Sequence, residues 1–462
     1  MVSRDSTSQS SRRKVIKTLG TGSLVGLAGC TGGGSNNGNT DNGEGSTGGS
    51  GSNTTSSKEQ VEITLWESFG GTEAAELQSL TSDFEEEYPH ISVNTQSVPF
   101  GEVPTKLTTA AASGNTPHVA SYWMSFSTYF DSLGILDPVD DYLADGLNPY
   151  YDVVEPAATA DGNVVALPMD IHGMMLATNN TVLEEANAPM EPTTKDELFE
   201  AANAIKQNTD KRPFFLQTYN NVYEGFRVYY SLLRQQGGRV FKNGDWTTGE
   251  PVFHETEEGA AAAEFYSSVT GEHGWDATND LSDQNVRIND FKNGEAGMGF
   301  LGNWTVNRFQ NESNEVIDGL DFSYHAPWGF DGSEKKTFCE SNAFFFPSNP
   351  EHTEAEKKAR VQFVEYITQN NPVWGTGAAH LPSTPEVAES DVVTSHPLYE
   401  EYDVIKTLSE MAENDQLRYQ PQTDVNFYAS EIGGPLSNIY AQNVEPQEGI
   451  TKAANAISSR MN

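Results

Sequence analysis

Between Val61 and Pro168 short apolar runs alternate with longer stretches of helical periodicity, a pattern that restricts a chain to α/β folds built on a mainly parallel sheet. Val61-Glu62-Ile63-Thr64-Leu65-Trp66 alternates apolar and polar residues as a strand does, and Glu73 to Tyr88 sets Ala74, Leu77, Leu80, Thr81 and Phe84 on one helical face. Ile91-Ser92-Val93 reads as a second strand, Val103 to Ala112 as a helix, Val119-Ala120-Ser121 as a third strand and Tyr129 to Leu133 as a further helix. Ser113-Gly114-Asn115 and Leu136-Asp137-Pro138 mark turns. In such sheets ligands sit beyond the carboxyl ends of the strands. Three segments are therefore candidate ligand walls: Glu67 to Gly71, Tyr122 to Ser125, and Asp170 to Gly173 after Val164-Val165-Ala166-Leu167-Pro168.

Past Thr193 helical periodicity dominates, over Lys195 to Gln207, Tyr223 to Gln235 and Glu258 to Val269. Single cores stop growing at about 250–300 residues. A chain of 462 residues is therefore expected to form two lobes, the second beginning with these helices. No convincing internal repeat relates the halves.

Charge excludes one class of partner. The chain carries 27 Lys and Arg against 66 Asp and Glu, a net charge of -39, which rules against nucleic acid and other polyanions. Low hydrophobicity with high charge is also a signature of disorder, but 23 Phe, 18 Tyr and 7 Trp supply the large apolar groups that a core needs. The acids are dispersed along the chain, as in a folded body with an acidic, solvated skin. Such a skin suits a halophile, since molar salt screens charges within about 3 Å. Cys30 and Cys339 are the two cysteines, so there is no disulfide framework, and Cys339 is expected as a buried thiol. No Walker loop, GxSxG elbow, HExxH pair or EF-hand loop occurs, so neither cofactor nor metal is expected.

The start of the chain reads as an address. Arg12, Arg13, Lys14 and Lys17 precede a weakly apolar stretch from Val15 to Ala28, shorter than the ~20 residues a membrane span needs and typical of a signal peptide. Ser11-Arg12-Arg13-Lys14-Val15-Ile16-Lys17 resembles the twin-arginine export motif, and Leu27-Ala28-Gly29-Cys30 looks like a lipobox, in which Cys30 takes a lipid after cleavage. Residues 1–30 are thus expected to be removed up to Cys30, which tethers the protein to membrane lipid. Residues 31–58, nearly all Gly, Ser, Asn and Thr, form a flexible leash. Asn53, Asn179, Asn303 and Asn311 each begin an N-glycan acceptor pattern.

The order of motifs resembles family 1 of the extracellular solute-binding proteins, the maltose-binding-protein-like group. The resemblance runs from Val61 to Asn462 and rests on a series of landmarks. They are Ile63-Thr64-Leu65-Trp66, Phe84 to Val93, Ala112 to Val119, Leu133 to Val139, Gly162 to Asp170, Pro192 to Leu198, Phe291 to Met298, Gly302-Asn303-Trp304 and Leu381 to Pro385. It implies a type II periplasmic-binding-protein-like α/β fold, each lobe a sheet flanked by helices, hinged by three interlobe crossings near Asp170 to His172, His325 to Pro327 and Phe345 to Pro347. The N-terminal lobe is then 59–171 plus 326–346, and the C-terminal lobe 172–325 plus 347–462.

A sugar has apolar C–H faces and a hydroxyl rim, so its site needs flat aromatics and planar polar groups. By the resemblance, Tyr122 and Trp123 fall where an aromatic follows the third strand, and Trp304 matches the stacking tryptophan of the second lobe. Ser125 and His172 stand where relatives have acids, which puts maltose itself in doubt. Glu67, Phe69, Asp170, Tyr219, Trp328, Glu340 and Tyr419 are further candidates. Phe427 and Tyr428 fit core as well as cleft, and His380 reads as a structural histidine. The implied role is the substrate-binding component of an ABC importer, a monomer that closes on a carbohydrate and meets permease subunits. A glycoside hydrolase would need two carboxylates about 5–9.5 Å apart, one with a raised pKa, and no motif singles such a pair out. A passive surface lipoprotein is the remaining alternative.

Overall fold

The computed structural model describes residues 59–218, 223–242, 250–277, 285–311, 313, 315–330, 335–420 and 431–461. The signal peptide with Arg12, Arg13 and Cys30, the linker, Tyr219, Phe427 and Tyr428 lie outside the described residues.

The first sheet is formed by β1 (Val61–Glu67), β2 (Ile91–Ser97), β3 (Val119–Trp123), β6 (Ala166–Pro168) and β12 (Asn342–Phe345), in the order β2-β1-β3-β12-β6. Between β3 and β6, Thr159–Ala160 (β4) and Asn163–Val164 (β5) make a small antiparallel pair. β1 runs parallel to β2 and β3, as the alternation of strands and helices predicts, while β12 returns antiparallel between β3 and β6. The helix Gly71–Glu87 buries Leu77, Leu80, Thr81 and Phe84, four of the five residues expected on its inner face. The helix Val103–Ser113 stops at Gly114, whose φ of 71° lets the backbone N–H turn back onto Ala110 and Ala111, a conformation that costs a Cβ-bearing residue energy.

The second sheet is formed by β7 (Asp170–Asn179), β8 (Arg212–Leu216), β9 (Ala296–Gly302), β10 (Phe322–His325), β11 (Thr337–Glu340), β13 (Leu381–Pro382) and β14 (Leu417–Arg418). Its order is β14-β11-β7-β9-β8, with β10 and β13 also paired to β7. All ten residues of β7 are buried. Covered on both faces, it shows no period-two alternation, which is why periodicity does not find it. The helices Tyr223–Gln235 and Glu257–Ser268 stand where the periodicity puts them, and Lys195–Asn208 starts at a capping box between Thr194 and Glu197.

Two expected crossings shift. The chain leaves the first sheet at Met169, between β6 and β7, as anticipated near Asp170. It does not return at His325 to Pro327, because β10 and β11 both pair with β7; the return falls at Ser341, between β11 and β12. Nor does it leave at Phe345 to Pro347. Pro347 bridges Leu136, and the helix Glu354–Gln369 packs on the first sheet, so 347–462 is not one block of the second lobe. The helices Gly433–Tyr440 and Pro446–Met461 do pack with Tyr223–Gln235 and Glu257–Ser268.

Cys339 is buried as a free thiol, as expected. Asn179 and Asn303 are buried and hydrogen-bonded, which removes both as glycan acceptors. Among the described residues no helix is long and apolar enough to cross a membrane.

Candidate functional site

The carboxyl ends of β3 and β9 bring an aromatic from each lobe to the same place. β3 ends at Trp123 and β9 at Gly302, followed by Asn303 and Trp304. Asn303 fixes this corner: its Oδ1 accepts from Gly173 N at 2.8 Å and its Nδ2 donates to the Ala379 carbonyl at 2.5 Å. A Cβ on Gly302 would lie 2.1 Å from the Trp304 ring, so glycine is what lets that ring fold back over the strand end. Trp123 and Trp304 are half-buried. The Arg227 guanidinium from the helix Tyr223–Gln235 lies 4.8 Å from the Trp123 ring centre and 5.1 Å from that of Trp304, and it pairs with Glu224 at 3.1 Å. Cation–π contacts in a desolvated slot are worth about 2 kcal/mol.

Beside this slot Asp170 is wholly buried and collects five donors. Trp374 Nε1 (2.6 Å), Asn342 N (3.0 Å) and Asn342 Nδ2 (2.7 Å) donate to it, and His380 Nδ1 (2.9 Å) and His172 Nδ1 (3.1 Å) sit against its two oxygens. Burial alone would raise its pKa, but the two histidines hold it well below the usual carboxylate range. Burial likewise disfavours charge on His380, yet the attraction and hydrogen bond of Asp170 outweigh it, and its pKa is raised. His172 goes the other way, to about 4, through burial and then the charge of His380. The two rings, shifted in opposite directions, stack 4.6 Å apart. The His172 ring meets Trp304 edge-on at 5.5 Å.

At the other passage Glu340 is buried, and Ser125 lies against it. Its Oε1 accepts from Ser125 N at 3.0 Å and Ser341 N at 3.1 Å, while its Oε2 takes the Ser125 hydroxyl at 2.5 Å. Burial pushes its pKa up to about 7. Ser125 thus holds a carboxylate that arrives from another part of the chain. Tyr419 joins the same point through its hydroxyl, 2.5 Å from Ser341 Oγ.

The fold thus gathers Trp123, Ser125, Asp170, His172, Trp304, Glu340 and Tyr419. Tyr122 is not among them: it stacks on Phe100 at 4.6 Å and meets Phe126 at 4.7 Å in the first core, because successive strand residues face opposite sides. Trp328 is fully buried among Phe214, Phe265 and Phe300 in the second core. Phe69 packs edge-on against Trp374 at 5.2 Å, behind Asp170. Glu67 accepts from Phe69 N at 2.7 Å and borders a cavity of about 430 Å³ shared with Leu77, Gln78 and Val93. A roomier cavity of about 550 Å³, lined by Glu76, Gln310, Thr376, His396 and Tyr402, includes none of the candidate residues.

Sequence reasoning misses Arg227 and Glu73 and sets His380 aside. Glu73, in the first turn of its helix, has its pKa raised by burial, with His380 and Asp170 as its charged neighbours. Its place just after the first strand was the available signal, whereas Arg227 sits inside a helix where nothing distinguishes it from a surface cation. The fold also brings Asp170, His172 and His380 together with donor atoms within 4.8 Å of one another, a grouping that no sequence spacing announces.

Two α/β lobes joined by neighbouring passages, with aromatics and polar groups at the facing strand ends, define a two-lobed solute-binding protein. Residues 70–371 match the bacterial extracellular solute-binding protein family, and the chain belongs to that family. It is 30% identical over 407 residues to the xylose/arabinose-binding protein XacG of Haloferax volcanii, covering 80% of this chain and 83% of that one. It is 21% identical over 334 residues to the maltotriose-binding protein of Pyrococcus abyssi, covering 71% and 67%. In fold it is similar to the cyclic alpha-maltosyl-1,6-maltose binding protein of Arthrobacter globiformis, with a TM-score of 0.72 at 20% identity over 87% of this chain and 99% of that one. It is also similar to maltose-bound MalE3 of T. maritima, with a TM-score of 0.69 at 18% identity over 87% and 100%.

Proposed function

We propose that this protein captures a mono- or oligosaccharide between its lobes and delivers it to the permease of an ABC importer. The observation that carries this reading is the pair Trp123 and Trp304, half-buried at strand ends of opposite lobes and flanked by His172 and Glu340. Flat rings suit the C–H faces of a sugar, and the imidazole and carboxyl groups suit its hydroxyls. The names of XacG and the Pyrococcus protein support a carbohydrate and leave its size open. Closure follows from geometry: a ligand touching both lobes gains contacts only when they are shut, and it shifts the population by that difference.

In this reading the twin-arginine leader with Arg12 and Arg13 exports the chain, an acylated Cys30 holds it on the outer face of the cell membrane, and residues 31–58 give it reach. It works as a monomer whose acidic skin suits concentrated salt. Titrating the mature protein with D-xylose, L-arabinose and maltotriose in molar salt, followed by tryptophan fluorescence and melting temperature, tests the proposal. A saturable shift with at least one sugar, lost in Trp304→Ala, supports it. No shift with any of them, or hydrolysis of the oligosaccharide, overturns it.

A further inference from the structure

We propose that Asp170, His172 and His380 form a binding site for a divalent transition-metal ion at the passage between the lobes. The residues come from distant points of the chain: Asp170 and His172 open β7, and His380 immediately precedes β13, which pairs with Ile171 and Asp170. All three are nearly inaccessible, and their ligand atoms lie within 4.8 Å of one another.

The spacing fits coordination. A metal with ligand distances of about 2.1 Å places neighbouring donors about 3.0 Å apart in octahedral and about 3.4 Å apart in tetrahedral geometry. The two imidazole nitrogens lie 2.9 and 3.1 Å from separate oxygens of the Asp170 carboxylate. A cation in the space these donors enclose, beside both lines, takes the place of the protons now shared along them. The carboxylate is oriented by donors that would remain in place, Trp374 Nε1 and the backbone and side chain of Asn342. Such outer partners are what hold metal ligands in register. Among the described residues His380 Nε2 is buried without a hydrogen-bond partner, so the ring is held by its bond to Asp170 and its stack on His172 and keeps a nitrogen uncommitted.

Two imidazoles and one carboxylate choose the metal class. Nitrogen donors favour Zn²⁺, Ni²⁺, Co²⁺ and Cu²⁺ over Mg²⁺ and Ca²⁺, which prefer all-oxygen shells. Three protein donors leave at least one position for water or a solute oxygen. His172 also meets the Trp304 ring at 5.5 Å, so the ion lies beside the cleft.

The test uses the mature protein stripped with a chelator and titrated with NiCl₂ by calorimetry in the presence of excess MgCl₂. Quenching of Trp374 and Trp304 fluorescence serves as a second readout. Wild type is expected to take up one ion, and His172→Gln and His380→Gln, which keep an amide able to donate to Asp170, to bind it at least about tenfold more weakly. His118→Gln alters the stacked His118–His352 pair elsewhere in the molecule and is expected to bind as wild type does. If either cleft variant unfolds, Co²⁺ added to wild type decides, because ligation in a four- or five-coordinate site gives visible bands far stronger than the weak absorption of aquo-cobalt. Absence of saturable Ni²⁺ uptake, displacement by Mg²⁺, wild-type affinity in both cleft variants, loss of binding in His118→Gln, or an aquo-cobalt spectrum would each overturn the proposal.

Discussion

Replacing Glu340 by glutamine removes a titrating group and changes almost no shape. Its Oε1 accepts two backbone amides, from Ser125 and Ser341, so an amide oxygen fits there. Among the described residues its Oε2 meets the Ser125 hydroxyl alone, which can rotate to accept from an N–H. Burial raises its pKa from 4.5 to about 7, so between these values the folded protein keeps a proton that the unfolded chain has released. Stability therefore falls as pH rises through that window and levels off above about 7. At about 1.36 kcal/mol per pH unit the decline amounts to about 3 kcal/mol. Glu340→Gln cannot lose that proton. Urea unfolding of both proteins at intervals from pH 4.5 to 8 isolates the effect, because the other titrating groups cancel in the difference. The variant is expected to gain on wild type by about 3 kcal/mol between pH 4.5 and 7. A difference that stays flat with pH would refute the reasoning.

Gly302→Ala tests how the Trp304 ring is placed without touching the ring. Gly302 has φ −70° and ψ 140°, which alanine tolerates, but its Cβ would collide with Trp304. Sugar affinity by calorimetry is expected to fall about tenfold, roughly the worth of one aromatic contact, while melting temperature holds. Trp328→Ala should do the opposite: denaturant unfolding loses about 3–5 kcal/mol, and sugar affinity of the folded protein is unchanged.

The first lobe is legible because its information is local. Val61–Glu67, Gly71–Glu87 and Val103–Ser113 each declare themselves by period and by flanking turns, and they stand within a few residues of where the pattern puts them. The second sheet is hidden because β7 is buried on both faces and carries Asp170, His172 and Gly173 among its apolar residues. The site is legible only where strand ends expose it, as at Trp123 and Trp304. Glu340, Arg227 and His380 acquire meaning from partners about 215, 77 and 210 positions away in sequence, a distance no periodicity spans. The same reasoning explains Trp328 and Tyr122, since an aromatic beside a strand end looks alike in sequence whether it faces cleft or core.

Two of the three passages, at Met169 and Ser341, lie side by side; the third falls between Gln369, where the helix on the first sheet ends, and Leu417, which pairs with β11. Met169 N donates to the Asn342 carbonyl at 2.7 Å, and Asn342 N returns to Asp170 at 3.0 Å. Pins set close together resist shear where they lie but allow bending about a line through them. The opening of this molecule should therefore have a single soft direction. A ligand that shuts it then freezes one coordinate rather than many, and little of its binding free energy is spent on ordering the protein.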